Sequence, residues 1–499
     1  DCIHHMLNDP KIKVVAAVAE GIKNGDKFKA VAKMALKKEK PIVILKVGRS
    51  ELGQKAALSH TGSMVGSDKV FDALCHQYGV IRVNDVDELI ETTYLFVRSK
   101  IKKNAGLAIV TGSGGSGSLL ADYCGLHDLN IPSFKASTIE KLKEVLPSFA
   151  SFNNPVDLTA SFLVDNSIHT ESMLPIIEDE NIDIVVEPIN ANYGTSTEQL
   201  AESLINLQKG TVKTIIPIWI SCMEEGGYKI LVEGGLAPFR SIRNTVIALN
   251  HFTTYCNRLD GLKNSVLSAE KEVNDNGIRL FETQKILNEY ESKKIIKQIG
   301  IKVPREKISK NRHEALVIAR KIGYPVALKI VSKDIMHKTE VGGIKLNLEN
   351  EQILNAAYDK LMINVKEMVP DAEIEGVLVS EMVGKGTELI LGLKKDPQFG
   401  QTILIGTGGI YAEVFKDVAI GICPISKGYA TELLNQLKIA PILKGYRDHA
   451  EYNLDELASV ISNLSQTGYA NQDIKELDVN PLVVKKGQAI ALDALIVRN

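Results

Sequence analysis

Short runs of aliphatic and β-branched residues recur along the whole chain, separated by longer stretches whose hydrophobic residues fall at helical spacing. This alternation constrains the fold more than any other feature. A run with no polar face must be covered on both sides, and the amphipathic helices between successive runs are what can cover it. The pattern predicts an α/β protein of sheets, parallel where the pattern holds, flanked by helices. At 499 residues the chain exceeds a single core, and the usual domain size gives about three to four domains.

Strands are predicted at 13–18, 41–46 and 80–83, with helices near 26–38 and 68–78, making a small sheet domain that ends near residue 103. A second unit opens with a strand at 106–110, turns through 111–117, enters a helix at Ser118, and continues through strands at 183–187 and 214–220 to about 262. The polar stretch 263–280 reads as a linker. Beyond Phe281 come a helix over 291–299, a turn at 300–304 and a strand over 326–330. Further strands fall near 376–380, 388–393, 402–406, 474–479 and 489–493. No short tandem repeat or low-complexity tract interrupts this. The sequence opens on Asp1 and reaches a strand-like run at 14–18 almost at once, which reads as a start inside a domain.

A formal net charge of -2 with no long basic run points away from nucleic acid and anionic membranes and towards small-molecule chemistry. The cysteines Cys2, Cys75, Cys124, Cys222, Cys256 and Cys423 form no C-x-x-C pair. That argues against a zinc site or disulfide framework and for a reducing cytoplasm. No apolar run reaches the roughly 18 to 20 residues of a membrane span, and the start is not a signal peptide.

Two histidines in glycine-flanked loops carry the chemistry: His60 in Ser59-His60-Thr61-Gly62, and His337 ahead of Lys338-Thr339-Glu340-Val341-Gly342-Gly343. Near neutral pH imidazole is largely unprotonated and nucleophilic, so a phosphoryl group it accepts can be passed on. Taken alone, His60 reads first as a satisfied surface histidine, and the company it keeps changes that. Glu20, after the first strand, could orient an imidazole or be a loop carboxylate. Segment 111–118 sets Gly114, Gly115, Ser116 and Gly117 between strand and helix, where backbone N–H groups can face an anion or make a tight turn. No Gly-Lys-Ser/Thr follows, so it is not a Walker A loop.

In the last third, Lys329 lies within an apolar strand and needs a partner in any fold; a nucleotide phosphate is one candidate. Glu381-Met382-Val383 reads as a hinge whose backbone could face an adenine edge, and Glu388 could accept ribose hydroxyls. Asn480 and Asp493, on adjacent strands, offer the one or two protein oxygens that Mg²⁺ takes beside a nucleotide. Gly342-Gly343 could act as a hinge for the His337 loop.

With these residues in view, the chain resembles the nucleoside-diphosphate-forming acyl-CoA synthetases, relatives of succinyl-CoA synthetase, over essentially its whole length. The likeness rests on Lys46-Val47-Gly48-Arg49-Ser50 with Ser59 to Gly62, on Asn154-Pro155-Val156-Asp157-Leu158-Thr159, and on Leu328-Lys329 with His337 to Gly343. It rests further on Gly406-Thr407-Gly408-Gly409 and on Asp478-Val479-Asn480-Pro481-Leu482. It implies two flavodoxin-like, succinyl-CoA synthetase-like domains (1–103 and 104–262) and a linker at 263–280. An ATP-grasp module follows at 281–499, with a small subdomain at about 307–383.

The resemblance also implies roles. His60 would be the phosphohistidine of the acyl site with Glu20 as its partner, and Gly114 to Gly117, Asn154 and Asp157 would surround phosphate and acyl group. His337 would be a second phosphohistidine near the nucleotide. Lys329, Glu381, Met382 and Glu388 would bind ATP, and Asn480 and Asp493 would bind Mg²⁺. The implied reaction uses ATP to join CoA to a small carboxylic acid such as acetate, propionate, 3-hydroxypropionate or 4-hydroxybutyrate, releasing ADP and phosphate, in a homo-oligomer, a dimer. Members of this family also carry an N-terminal CoA-binding domain whose glycine-rich fingerprint does not precede residue 1, so the CoA site is expected to be incomplete in this chain. The glycine turn also lacks the proline expected after its paired glycines. Two other readings stay open: a regulatory acyl-CoA-sensing module of the kind attached to some protein acetyltransferases, and an ATP-grasp carboxylate ligase that works without a relay.

Overall fold

The computed structural model describes residues 1–50, 52–53, 67–276, 285–335, 338–409, 417–445, 452–485 and 488–499, so His60 and His337 lie outside the described residues. The chain forms two compact units. The first comprises Asp1–Gly21, the described part of Lys29–Met64, and Tyr78–Lys263; the second comprises Ile22–Phe28, the described part of Val65–Gln77, and Asn264–Asn499.

The first unit holds two parallel sheets, as the apolar runs predict. Strands β1 (Val15–Ala19), β2 (Ile42–Lys46) and β3 (Ile81–Val83) pair in that order. Strands β4 (Leu107–Thr111), β5 (Val156–Asp157), β6 (Ile184–Ile189) and β7 (Thr214–Trp219) form the second sheet in the order β5-β4-β6-β7. Every residue of β4, β6 and β7 is buried, because helices cover both faces. From β4 the chain runs outward to β5 and then crosses back to β6. The carboxyl ends of β4 and β6 therefore frame the crevice where open α/β sheets bind ligands.

Within this unit the helix Val86–Arg98 buries Glu91. Its Oε1 accepts a hydrogen bond from the Arg240 backbone N–H at 2.7 Å, while Oε2 is buried with no hydrogen-bond partner among the described residues. Burial is the main reason that the carboxyl is pushed up to about 7. A raised carboxyl pKa favours the fold at acid pH, below the ordinary glutamate value, and that contribution is lost as the pH rises through about 7. Glu91→Gln is therefore expected to melt higher than the unaltered chain at pH 8, by an amount corresponding to a few kcal/mol at most (on the order of 3). The gap should close towards pH 4; a melting-temperature difference that does not change with pH would refute the assignment.

The stretch 263–280 is not an irregular linker in its described part, because one helix runs unbroken over Ile242–Asn276. Leu259, Leu262, Val266 and Ala269 are all buried, an apolar stripe at helical spacing that the surrounding polar residues conceal in the sequence.

The second unit departs from the parallel pattern. Strands β8 (Ile286–Leu287), β9 (Glu306–Ser309), β10 (Val326–Val331), β11 (Ile344–Leu348) and β12 (Gly376–Glu381) are followed by β13 (Thr387–Asp396), β14 (Gly400–Thr407) and β15 (Val418–Ile422). Strands β16 (Ile474–Lys485), β17 (Gln488–Ala491) and β18 (Ala494–Arg498) complete the set. They build a small sheet, β11-β10-β12-β9, and a large one, β15-β14-β13-β16-β18-β8 with β17 beside β16; both are antiparallel. A buried apolar run shows that a strand is covered but not which way its neighbour points. Each sheet has its own hydrophobic core. No described helix is long and apolar enough to cross a membrane.

Candidate active site

Lys329 sits in the middle of β10, a strand whose six residues are all buried. A lone ammonium there would be costly to desolvate, so it must be paired. Its Nζ donates to Glu289 Oε1 at 2.7 Å and to the Leu492 carbonyl at 2.6 Å. Glu289 is the first residue of the helix Glu289–Gln298, which starts two residues before the predicted position and is closed by a capping box between Asn288 and Glu291. One turn on, Lys293 donates to the same Glu289 oxygen at 2.7 Å and to Glu306 Oε2 at 2.9 Å.

Lys338 completes the cluster. Its Nζ lies 2.9 Å from Glu289 Oε2, out of line for a hydrogen bond but within ion-pair range, and 3.1 Å from Asp493 Oδ2. Burial opposes charge on Glu289, yet the lysines around it, Lys329 foremost, hold its carboxyl far below the usual range. Burial likewise works against Lys293 and Lys338, but the carboxylates facing them raise both.

Asp493 lies between β17 and β18, and the Leu492 N–H donates to the Pro481 carbonyl at 3.0 Å, which ties this turn to β16 beside Asn480. Two oxygen donors on neighbouring segments, one exposed and one half-buried, are the donor set a hydrated divalent cation accepts. Asp478, also on β16, is pushed up to about 6 by burial, with the Glu476 and Asp493 charges adding to it.

On the other side of β16, Glu388 of β13 stands opposite Val483. The Gly408 N–H donates to the Glu388 carbonyl at 2.7 Å, and a Cβ on Gly409 would come within 2.6 Å of Glu388 Oε2, so these glycines allow the chain to close over the carboxylate. Glu381, at the end of β12, is already held by Arg305, with Nε–Oε2 at 3.0 Å and Nη2–Oε1 at 3.2 Å. The hinge N–H groups are engaged as well, Glu381 with the Arg305 carbonyl at 2.9 Å and Met382 with that of Pro325 at 3.4 Å. Gly342 has φ +66, and a Cβ on Gly343 would meet Ile330 Cγ2 at 2.7 Å. The pair thus serves a tight turn packed against β10.

In the first unit the helix after β4 begins at Gly114, four residues before the predicted start, and runs over Gly114–Leu126. Tight packing explains the glycines: a Cβ on Gly114 would lie 3.0 Å from Asp157 Oδ2, and one on Gly117 would lie 2.9 Å from Thr111 Cγ2. Ser113, at the N-cap, makes no side-chain cap. Ser116 Oγ donates to Asn190 Oδ1 at 2.6 Å, while Gly115 sits in the same exposed first turn. Asn154 is occupied with the backbone: its oxygen accepts from the Ile109 N–H at 3.0 Å, and its amide donates to the carbonyls of Leu107 at 2.7 Å and Pro132 at 3.0 Å. It braces β4 rather than facing a ligand. Glu20 is exposed just past β1.

A cavity of about 290 Å³ opens at the β4–β6 crevice, with Ser113, Glu187, Asn190, Tyr193 and Thr197 among its walls. Glu187 is buried behind it, its Oε2 3.0 Å from His169 Nε2. The sequence reading missed Glu187, Asn190, Glu289, Lys293 and Lys338. Glu187 carried a signal, a charge within the apolar run Ile184–Ile189, and so did Glu289-x-x-x-Lys293, although its spacing looks the same in a solvated pair.

The ATP-grasp domain family matches residues 279–497, and the succinyl-CoA ligase-like flavodoxin domain family matches residues 1–96. The chain is 35% identical over 502 residues to an ADP-forming acetate–CoA ligase I of Archaeoglobus fulgidus, covering 98% of this chain and 71% of that protein. It is 32% identical over 498 residues to an ADP-forming 4-hydroxybutyrate–CoA ligase of Nitrosopumilus maritimus, covering 98% of this chain and 70% of that one. Among solved structures, a dinucleotide-forming acetyl-coenzyme A synthetase 1 of Ca. Korarchaeum cryptofilum in complex with coenzyme A is 36% identical, with 47% of this chain and 98% of that chain covered and a TM-score of 0.42. With relatives that match it nearly end to end, the chain belongs to the ADP-forming acyl-CoA synthetases, ligases that join acids to a thiol.

Proposed function

We propose that this chain supplies the acyl-activating and nucleotide-binding parts of an enzyme that converts a small carboxylic acid, CoA and ATP to acyl-CoA, ADP and phosphate through a phosphohistidine relay. The observation that carries this reading is the cluster in which Lys329 and Lys338 meet at Glu289 beside Asp493. Lysines held at a fixed spacing next to an oxygen-donor pair suit a polyphosphate and its metal. Asn480 and Asp493 would hold Mg²⁺, which supplies charge neutralisation along the phosphates. Glu388 would receive the ribose, and the hinge at Glu381 and Met382 would border the base.

In the relay, His337 takes the γ-phosphoryl group and ADP leaves; the group then passes to His60. A carboxylate oxygen of the substrate attacks that phosphorus, the N–P bond breaks, and an acyl phosphate forms with His60 released. The CoA sulfur attacks the acyl carbon, the C–O bond breaks, and phosphate departs as the thiol gives up its proton. Glu20 would orient His60. The uncapped turn at Gly114 to Gly117, with Asp157 beside it, would face the phosphate and acyl group, where backbone N–H groups and the helix dipole favour an anion.

The acid's tail would enter the cavity beside Ser113. A volume of about 290 Å³ corresponds to on the order of ten waters of liquid. Acetate would leave much of it wet, whereas a longer acid with a hydroxyl for Asn190 or Glu187 would use both its space and its polar wall. ADP release, assayed with CoA and the full-length protein, is therefore expected to be acid-dependent, with kcat/KM for 4-hydroxybutyrate or 3-hydroxypropionate above that for acetate. Acetate as the best acid would refute the cavity assignment, and amide formation without a phosphoenzyme would favour the relay-free ligase. The six cysteines, none in a C-x-x-C pair, are in keeping with a reducing cytoplasm, and a homodimer is the assembly we would test by light scattering.

A further inference from the structure

Glu289 belongs to none of the groups just assigned to nucleotide, metal or acid, yet it is the point at which the nucleotide half converges. Its side chain has no exposure and meets three ammonium groups: Lys293 and Lys329 at 2.7 Å on Oε1, and Lys338 at 2.9 Å on Oε2. The lysines come from three separate elements, namely the helix Glu289–Gln298, strand β10, and the turn before β11. Backbone hydrogen bonds bring the two segments together, from the Gly343 N–H to the Lys338 carbonyl and from the Ile330 N–H to that of Gly343, both at 2.8 Å, and the shared carboxylate then fixes where the ends of the two long side chains lie. Glu289 itself is fixed, since it opens a helix whose cap is locked by Asn288 and Glu291, and Asn288 is anchored in turn to Glu375 at 2.9 Å. A carboxylate in the first helical turn also gains from the helix dipole.

The far side of the cluster points the same way. Lys338 bridges Glu289 to Asp493, and Lys329 reaches the Leu492 carbonyl next to it, so the metal-ligand turn is tied to both lysines. Glu306 and Lys293 close the other end, with Ser380 Oγ donating to Glu306 at 3.2 Å. The six charged groups of the cluster, three carboxylates and three lysines, balance without a ligand.

We propose that Glu289 is the positioning residue of the nucleotide site: it holds Lys329 and Lys338 at the spacing that receives a polyphosphate and couples them to Asp493. It touches no reacting atom. The proposal rests on the nucleotide-binding reading above.

Geometry and charge make opposite predictions here. If Glu289 only neutralised the lysines, removing its charge would leave the site more positive and tighten the binding of an anion. If it positions them, removal weakens binding. The test is calorimetry of ATP and ADP, with and without Mg²⁺, on the 499-residue chain and on Glu289→Gln and Glu289→Asp. Aspartate keeps the charge but withdraws the carboxylate by about 1.5 Å. Both variants are expected to lose about tenfold or more in nucleotide affinity. In the full-length enzyme KM for ATP should rise while KM for acid and for CoA stays put.

Unchanged or tighter nucleotide binding in either folded variant overturns the proposal, and so does an equal loss for all three substrates, which would mark a structural role. Should Glu289→Gln fail to fold, Glu289→Asp decides alone. A wild-type chain that binds no nucleotide would instead overturn the reading beneath the proposal.

Discussion

Replacing His60 by alanine is expected to abolish acyl-CoA formation, with turnover reduced by on the order of ten-thousandfold or more, while ATP and ADP bind as before. The size of the effect follows from the role. A residue that carries the phosphoryl group covalently cannot be replaced by water, because the carboxylate must attack phosphorus held at a fixed point and shielded from hydrolysis. The selectivity follows from the fold. The cluster of Lys329, Lys338, Glu289 and Asp493 is drawn wholly from the second unit, whose two sheets have their own cores, so the substitution removes none of the groups assigned to the nucleotide. Two measurements on the one variant check this: calorimetry with ATP, and acid-dependent ADP release with CoA present. Turnover at the wild-type level would sink the relay. Loss of both activities together would show that the substitution damaged the fold rather than the chemistry.

Some parts of this site were legible because the sequence broke a rule. A lysine within Val326–Val331 is a charge in a strand that has to be buried, and a buried charge demands a partner. What the sequence did not disclose was the partner. Glu289 and Lys293 look like any solvated pair one helical turn apart, and the predicted helix began at Glu291, after the residue that matters. Burial of a pair is a tertiary fact that local spacing does not carry. The glycine turn shows the converse. Gly114, Gly115 and Gly117 are poor helix formers, each unfavourable by about 1 kcal/mol, so propensity starts the helix at Ser118. Packing overrides that preference, with Gly114 close against Asp157 and Gly117 against Thr111, where a side chain would crowd its neighbour.

Strand direction was likewise hidden. The alternating pattern is the same for β4 in a parallel sheet and β10 in an antiparallel one, since both are covered on two faces. Asn154 was singled out for its motif, and its own side chain is engaged with backbone: three hydrogen bonds brace the neighbouring strand β4 and the turn at Pro132. In the cavity wall, Glu187 broke the same rule as Lys329, a charge within the apolar run Ile184–Ile189, whereas Asn190 stood in the loop after it with no spacing to mark it.

The last expectation separates one phosphohistidine from two. With His337→Ala, labelled ATP should no longer place phosphate on His60, whereas an acyl phosphate supplied from the other direction should still do so. The described neighbours of His337 are the reason to assign it to the nucleotide end. Lys338, the next residue, is anchored to Glu289 and Asp493. The segment then folds back on itself, with the Gly343 N–H donating to the Lys338 carbonyl at 2.8 Å and the Ile330 N–H to that of Gly343 at 2.8 Å. Residue 337 thus directly precedes Lys338, whose side chain contacts Asp493, the carboxylate proposed above to hold Mg²⁺, and that is the vicinity in which a γ-phosphoryl group would be presented. Alanine at 337 removes the acceptor and leaves Lys329, Lys338 and Asp493 in place, so ATP affinity should change by less than about threefold, while labelling of His60 from ATP should fall below detection. Labelling that proceeds undiminished would mean that His60 alone serves both ends, and that the segment before Lys338 is part of the nucleotide cradle without carrying phosphate itself.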